Sequence, residues 1–373
     1  MKIKEVRYYP LYPKDDYGGA LEVGENFNTL IEVEADNGLK GYGSTYTTLA
    51  ITAAAMRLIC PILMAEKNIT PARVSEMLHQ RHFWLGRGGS ITHVISGVDI
   101  ALWDLFGKHL GASVSTLAGG RYREKVRPYA SLSFDDGDKL EEKITAAVEK
   151  GFAGIKIGWG TFGRLDLKND EKLTATCRKV AGDNIALMID AGGSGELYNT
   201  TYKRALETAK MLREYNIDWY EEALDPDDIE GFIKLRENSP VRISSCEVLT
   251  RRQTFHQWIE RGAVDIVQPD CTKVGGFSES LRIAWHAYDH GIDYVGHGWN
   301  TAFGLTADMH LAASLPSCDW VEYITPSPLL DQLTTKPFVI KDGYLDIPDT
   351  PGLGIEPDME RVEYYATPGT VGR

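Results

Sequence analysis

Seven residues of the types that carry metal and acid–base chemistry recur at a steady interval: Lys156, Asp190, Glu221, Glu247, Asp270, His297 and Glu322. Each closes or directly follows a short apolar run, as in Gly154-Ile155-Lys156, Met188-Ile189-Asp190 and Trp219-Tyr220-Glu221. Neighbouring members lie 23 to 34 residues apart, about the length of one strand–helix unit. In a closed βα barrel such spacing sets all seven on one rim, around a shared pocket. A plainer account makes several of them N-caps of the helices that follow the strands. It suits single positions better than seven in step.

The chemistry follows from the residue types. Asp190, Glu221 and Glu247 come from three consecutive strands, and three converging carboxylates repel one another strongly at neutral pH. A hard divalent cation removes that cost, and all-oxygen ligation suits Mg²⁺. Glu222 directly follows Glu221, and strand alternation lets only one of the two face inward. Asp270 and His297 fall on adjacent strands, where a carboxylate would orient the imidazole and make it a base near neutral pH. Lys156 beside a metal would hold a substrate carboxylate oxygen; as a solvated strand-end charge it would do nothing. A protonated Glu322 would donate a hydrogen bond to the same carboxylate as charge develops.

The elements that must position these groups are legible as alternating segments. Apolar runs fall at 126–131, 154–157, 186–190, 218–221, 241–245, 265–268, 294–296 and 319–322, with helical stretches such as 139–150, 203–215, 227–237, 251–261 and 278–290 between them. Eight strands with crossover helices predict an α/β fold, a TIM-type (β/α) barrel of seven to eight βα units. An open doubly wound sheet is the competing arrangement, but no GxGxxG follows the first strand. The first 125 residues differ. Strands at 2–11 and 28–35, an Asp36-Asn37-Gly38 turn and a partner strand at 39–43 are followed by helices near 47–64, 71–83 and 90–110. Val94, Val98, Ala101, Leu102 and Leu105 mark the apolar face of the last. The expected division is an α+β capping domain at 1–125, completed by the tail 336–373, and a catalytic barrel at 126–335.

Composition narrows the classes. The net charge of −13, from 40 basic and 53 acidic residues, argues against nucleic acid as a partner. An anionic substrate would need positive charge supplied locally. No apolar run approaches a membrane span, and the N-terminus reads as a strand without the apolar core of a signal peptide. Five scattered cysteines suggest neither a disulfide framework nor a zinc site and fit a reducing cytoplasm.

Together these motifs resemble the enolase superfamily, in particular its mandelate racemase-like group. The stretch Ser96-Gly97-Val98-Asp99-Ile100-Ala101-Leu102-Trp103-Asp104, then Gly107-Lys108 and Leu117-Ala118-Gly119-Gly120, is similar to the family's long helix and the turn after it. Met188-Ile189-Asp190, Trp219-Tyr220-Glu221-Glu222 and Ser245-Cys246-Glu247 resemble its three ligand motifs, with the first glutamate of the pair as the ligand. Asp265-Ile266-Val267-Gln268-Pro269-Asp270 with Gly275-Gly276 resembles the dyad motif, and His297 and Glu322 fall where the family's catalytic His and last acid lie. The sequence departs at four places. Gly158 stands where a second Lys often serves as base, Gly192 where Asn is common, Ala223 where Pro is usual, and Cys246 where Gly is common.

The resemblance implies one Mg²⁺ per subunit, held by Asp190, Glu221 and Glu247. It implies a His297–Asp270 base that forms an enediolate from a small carboxylate, and a homo-oligomer. It also implies a cap that closes over the site through loops 15–26 and 44–48, which makes Tyr46, Trp84, Arg87 and Trp299 candidate substrate contacts. The expected reaction is loss of water from a sugar acid to a 2-keto-3-deoxy acid. A cycloisomerase acting on a sugar-acid lactone or anhydro sugar is the nearest alternative. An inactive barrel kept as a binding protein predicts a broken ligand set, which this sequence does not have.

Overall fold

The computed structural model describes residues 1–12, 28–135, 137–196, 198 and 200–366. Three antiparallel strands open the chain: β1 (Ile3–Leu11), β2 (Asn28–Ala35) and β3 (Lys40–Tyr46), with β2 in the middle. Gly38, at φ 83°, makes the turn between β2 and β3, and Leu39 N donates to Asn37 Oδ1 at 3.3 Å. Helices α1 (Leu49–Ala65), α2 (Pro71–Arg81) and α3 (Ser90–Leu110) cover the sheet, with a 3₁₀ turn at Phe83–Leu85. The α3 backbone lies directly on β3. A Cβ at Gly41 or Gly43 would fall on the carbonyl oxygen of Ala101 or Gly97. Tyr42 points the other way, its ring 5.7 Å from that of Phe303 in the barrel. A short α4 (Val114–Leu117) leads onward.

The barrel then runs β4 (Lys125–Ser133), α5 (Asp138–Glu149), β5 (Gly154–Gly158), α6 (Leu167–Ala181), β6 (Ala186–Asp190), α7 (Tyr202–Glu214), β7 (Trp219–Glu221) and α8 (Ile229–Asn238). It continues as β8 (Arg242–Ser245), α9 (Arg252–Glu260), β9 (Ile266–Val267), α10 (Phe277–Asp289), β10 (Asp293–Tyr294), α11 (Ala302–Ala313) and β11 (Trp320–Ile324). The eight strands pair in parallel in chain order, β11 pairs with β4, and a parallel bridge between Gly296 and Val321 joins the ends. The competing open sheet is thereby excluded. Side-chain N-caps come from Asp166, Thr201, Asp228 and Thr301, so none of the seven rim residues is a cap.

After β11 comes only a four-residue helix, α12 (Pro328–Asp331), in place of an eighth barrel helix. Strand β12 (Leu345–Asp346) adds antiparallel to β4, and α13 (Met359–Tyr365) reaches β1, where Tyr12 N donates to Tyr365 O at 2.8 Å. Tyr129, Met188, Trp219, Ile266 and Val295 form a small buried cluster of their own. Met188 and Trp219 each lie two residues before a rim acid and so share its face; the cluster is the floor on which the rim groups stand.

Candidate active site

Asp190 and Glu221 end β6 and β7, and Glu247 lies two residues beyond β8. Their carboxylate oxygens come within 4.8 Å of one another, and all three side chains are buried. The backbone turns sharply to aim them. Glu222 and Cys246 take φ values of 47° and 98°, in the left-handed region that non-glycine residues enter at a cost. That turn resolves the glutamate pair. Glu221 faces the cluster, while Glu222 accepts from Ser194 Oγ at 2.7 Å.

Lys156, from β5, inserts its ammonium between the acids. It bonds Glu221, lies 2.9 Å from Glu322 Oε1 and 3.9 Å from Asp190 Oδ2. Burial opposes its charge, but Glu221 and Glu322 outweigh burial and hold its pKa well above the usual lysine value. Trp219 Nε1 and Gln268 Nε2 fix the other Glu221 oxygen at 3.0 and 2.7 Å. Burial first, and Glu221 next, push Asp190 well above the usual carboxylate range; burial and Glu222 push Glu247 up to about 7. One ammonium is too little for so many buried acids. An all-oxygen donor set short of positive charge fits a hard divalent cation.

Across from these acids stands the His–Asp pair, joined by a parallel bridge between Asp270 and His297. His297 Nδ1 lies 2.8 Å from Asp270 Oδ2, and Thr272 N and Oγ1 donate to Oδ1 at 2.7 and 2.6 Å. Burial alone would raise the Asp270 carboxyl, but Lys273 and His297 outweigh it and hold it at about 2. Burial alone would lower His297; Glu247 above all reverses this and lifts it to about 9. Nε2, the nitrogen turned away from Asp270, is 3.4 Å from Glu247 Oε2.

Glu322, on β11, is buried beside Lys156. Lys156 and His297 override its burial and hold it at about 2, and it accepts from Gly298 N at 2.7 Å. That environment favours the charged carboxylate over the protonated donor expected from the sequence.

Lys156, Asp190, Glu247 and His297 all line one cavity of about 280 Å³, with Tyr46 and Trp299 at its sides. The expectation that Trp84 and Arg87 reach in is corrected. Trp84 is 98% exposed, Arg87 is exposed, and neither lines the cavity. Trp84 lies within the 3₁₀ turn and Arg87 just past it, before Gly89 N donates to Thr250 Oγ1 at 3.1 Å. Loop 15–26 lies outside the described residues.

Lys273 and Trp159 are among the lining residues that sequence reasoning missed. Lys273 is buried, 3.7 Å from Asp270 Oδ2 and 5.0 Å from the Tyr46 ring centre. A turn in which Lys273 N donates to Asp270 O at 3.0 Å folds it back, and its position three residues past the dyad acid was the available signal. Trp159 follows Gly158 at φ 65°. It explains Gly192, since a Cβ there would meet the Trp159 ring at 2.9 Å.

Comparison with known proteins agrees with this geometry. Residues 21–119 match the mandelate racemase/muconate lactonizing enzyme N-terminal domain, and residues 139–362 match the enolase C-terminal domain-like family. The chain belongs to the mandelate racemase/muconate lactonizing enzyme family of the enolase superfamily. It is 31% identical to a D-galactarolactone cycloisomerase of Agrobacterium fabrum, over 99% of this chain and 100% of that one. It is 30% identical to an arabinonate dehydratase of Saccharolobus solfataricus, over 87% of this chain and 86% of the relative. Among solved structures, a racemase from Streptomyces coelicolor with bound magnesium superposes with a TM-score of 0.86 at 27% identity, covering 98% of this chain and 100% of that one.

Proposed function

We propose that this protein removes the proton α to the carboxylate of a sugar acid and expels the β-oxygen, giving a 2-keto-3-deoxy acid. The observation that carries the reading is one cavity lined by Lys156, Asp190, Glu247 and His297, with Glu221 bonded to Lys156 and Asp270 to His297 behind them. Asp190, Glu221 and Glu247 would hold one Mg²⁺ per subunit, which supplies positive charge to the substrate carboxylate as the enediolate develops. Lys156 binds a carboxylate oxygen. Asp270 holds His297 Nδ1, and once Glu247, which raises the imidazole's pKa, is engaged by the cation, Nε2 would be free to take the α-proton. The C–O bond to the β-hydroxyl then breaks as His297 returns that proton to the departing oxygen, water leaves, and the enol shifts its hydroxyl proton to the adjacent carbon to become the ketone. Lys273 adds a second cation for an anionic substrate, and Trp159 and Trp299 offer flat faces to a sugar ring. In this reading residues 1–125, with the tail 336–373, cap a catalytic barrel at 126–335. The five unpaired thiols support a cytoplasmic setting, and we expect a homo-oligomer.

A second reading keeps the chemistry and changes the leaving group to a ring oxygen, so that no water is released. The full-length likeness to a cycloisomerase favours it. Both readings confine proton transfer to the His297 face. A side chain at position 158 would meet Asp190 Cβ at 2.7 Å, so β5 has no room for a second base there.

The test is turnover on open-chain sugar acids and on their lactones and anhydro forms, followed by NMR in D₂O. Keto acid from the open-chain acids supports the dehydratase, and product from the cyclic forms alone supports the cycloisomerase. Rapid epimerisation at the α-carbon would refute single-face chemistry. Chelation should abolish turnover and Mg²⁺ restore it; full activity in metal-free protein would remove the metal from the mechanism.

A further inference from the structure

Helices α9 and α10 lie side by side on the outside of the barrel and carry a cluster of imidazoles that the reaction does not use. His256 and Glu260 are one turn apart on α9, and His286 is on α10. One ligand atom from each comes within 4.8 Å of the other two. The His256 and His286 rings lie 4.2 Å apart between centres, and the ring of His290, one turn further on, lies tilted at 4.4 Å from that of His286. His286 Nε2 is closed off from solvent and makes no hydrogen bond. Its 3.2 Å approach to Glu260 Oε1 is a contact without hydrogen-bond alignment.

The surroundings leave this group of ligands to itself. One turn towards each helix start, Arg252 and Arg282 are both committed to Glu76 and Glu279. No cation among them is placed on Glu260 as an ion-pair partner. Barrel helices run antiparallel to the strands, so the ends of α9 and α10 lie towards the face remote from the catalytic rim.

We propose that His256, Glu260 and His286 form a second metal site, selective for Zn²⁺ and separate from the catalytic cation, which clamps α9 to α10. The donor chemistry sets the selectivity. Two imidazole nitrogens and one carboxylate oxygen suit a borderline ion such as Zn²⁺, whereas Mg²⁺ prefers oxygen throughout. Two ligands one turn apart on one helix and a third across the interface form three corners of a tetrahedron, with the fourth open to water. Binding to the folded pair of helices alone would stabilise the protein by mass action.

The experiment titrates Zn²⁺ into the intact enzyme held in excess Mg²⁺, followed by calorimetry and by thermal unfolding. Wild type should take up one Zn²⁺ per chain with a rise in Tm. His256→Gln and His286→Gln should each weaken that event by at least about 10-fold, the low end for loss of even an outer partner of a metal ligand. Both variants should keep wild-type Tm and turnover in zinc-free buffer, because neither residue touches the cavity. Anomalous scattering at the zinc edge should place a peak between α9 and α10. Zinc uptake by the double variant with unchanged stoichiometry and affinity would overturn the proposal, as would a peak confined to the catalytic carboxylates.

Discussion

Asp270 commits one carboxylate oxygen to Thr272 and the other to His297, which leaves the imidazole a single orientation. His297→Asn should therefore keep the fold, by circular dichroism, and lose at least about 10²-fold in kcat, the low end for a removed general base. Asp270→Asn should slow the same step through misorientation. Near-normal α-proton exchange in D₂O by His297→Asn would place the base elsewhere, with Lys156 the next candidate. Lys273 tests a different role. If it holds an anionic or hydroxyl group of the substrate, Lys273→Met should reduce kcat/KM by about 10- to 100-fold, the range for one charge-assisted hydrogen bond. An unchanged kcat/KM would reduce it to a neighbour of Asp270 and Tyr46.

At the scale of elements, the cap depends on how closely α3 approaches β3. Gly41 and Gly43 lie on the strand face against which the α3 backbone rests. Gly43→Ala should destabilise the protein by about 1–3 kcal/mol, the usual cost of overpacking, read as a lower urea midpoint. Gly38→Asn, in an open turn where nothing approaches a Cβ, is the control, since Asn tolerates positive φ. Equal losses for both would mean that the α3–β3 contact is not what makes Gly43 necessary.

Across the whole molecule, buried neutral histidines link stability to pH. His310 on α11 meets Ser115 Oγ at 3.2 Å and Leu353 O at 3.0 Å, which ties the barrel to the segment after α3 and to the tail. Burial holds its pKa at about 4, below the usual 6.5, and does the same for His79 and His93. Below 6.5 the unfolded chain takes up these protons while the native chain does not. Stability is therefore lost as pH falls from about 6.5 to 4. The Tm should drop through this window, and less steeply in His310→Gln. An unchanged slope in that variant would show that His310 is not among the groups responsible.

The sequence by itself determined the barrel, its cap and the seven rim residues, because strand and helix periods and the length of a βα unit are local properties of the chain. It could not reveal α11, whose twelve residues are all buried and so show no amphipathic period. It left β9 and β10 overlong, since their regular ladders span only two residues each. Strand alternation left open which of Glu221 and Glu222 turns inward; the family resemblance pointed to Glu221, and the left-handed backbone at Glu222 supplies the physical reason. Tertiary structure alone decided that Trp84 and Arg87 stay outside while Trp159 and Lys273 enter. Strand-end residues inherit their direction from the pleat, which sequence records. Loop residues take theirs from turns and from neighbours distant in the chain, such as Trp159 against Gly192, and these exist only once the barrel has closed.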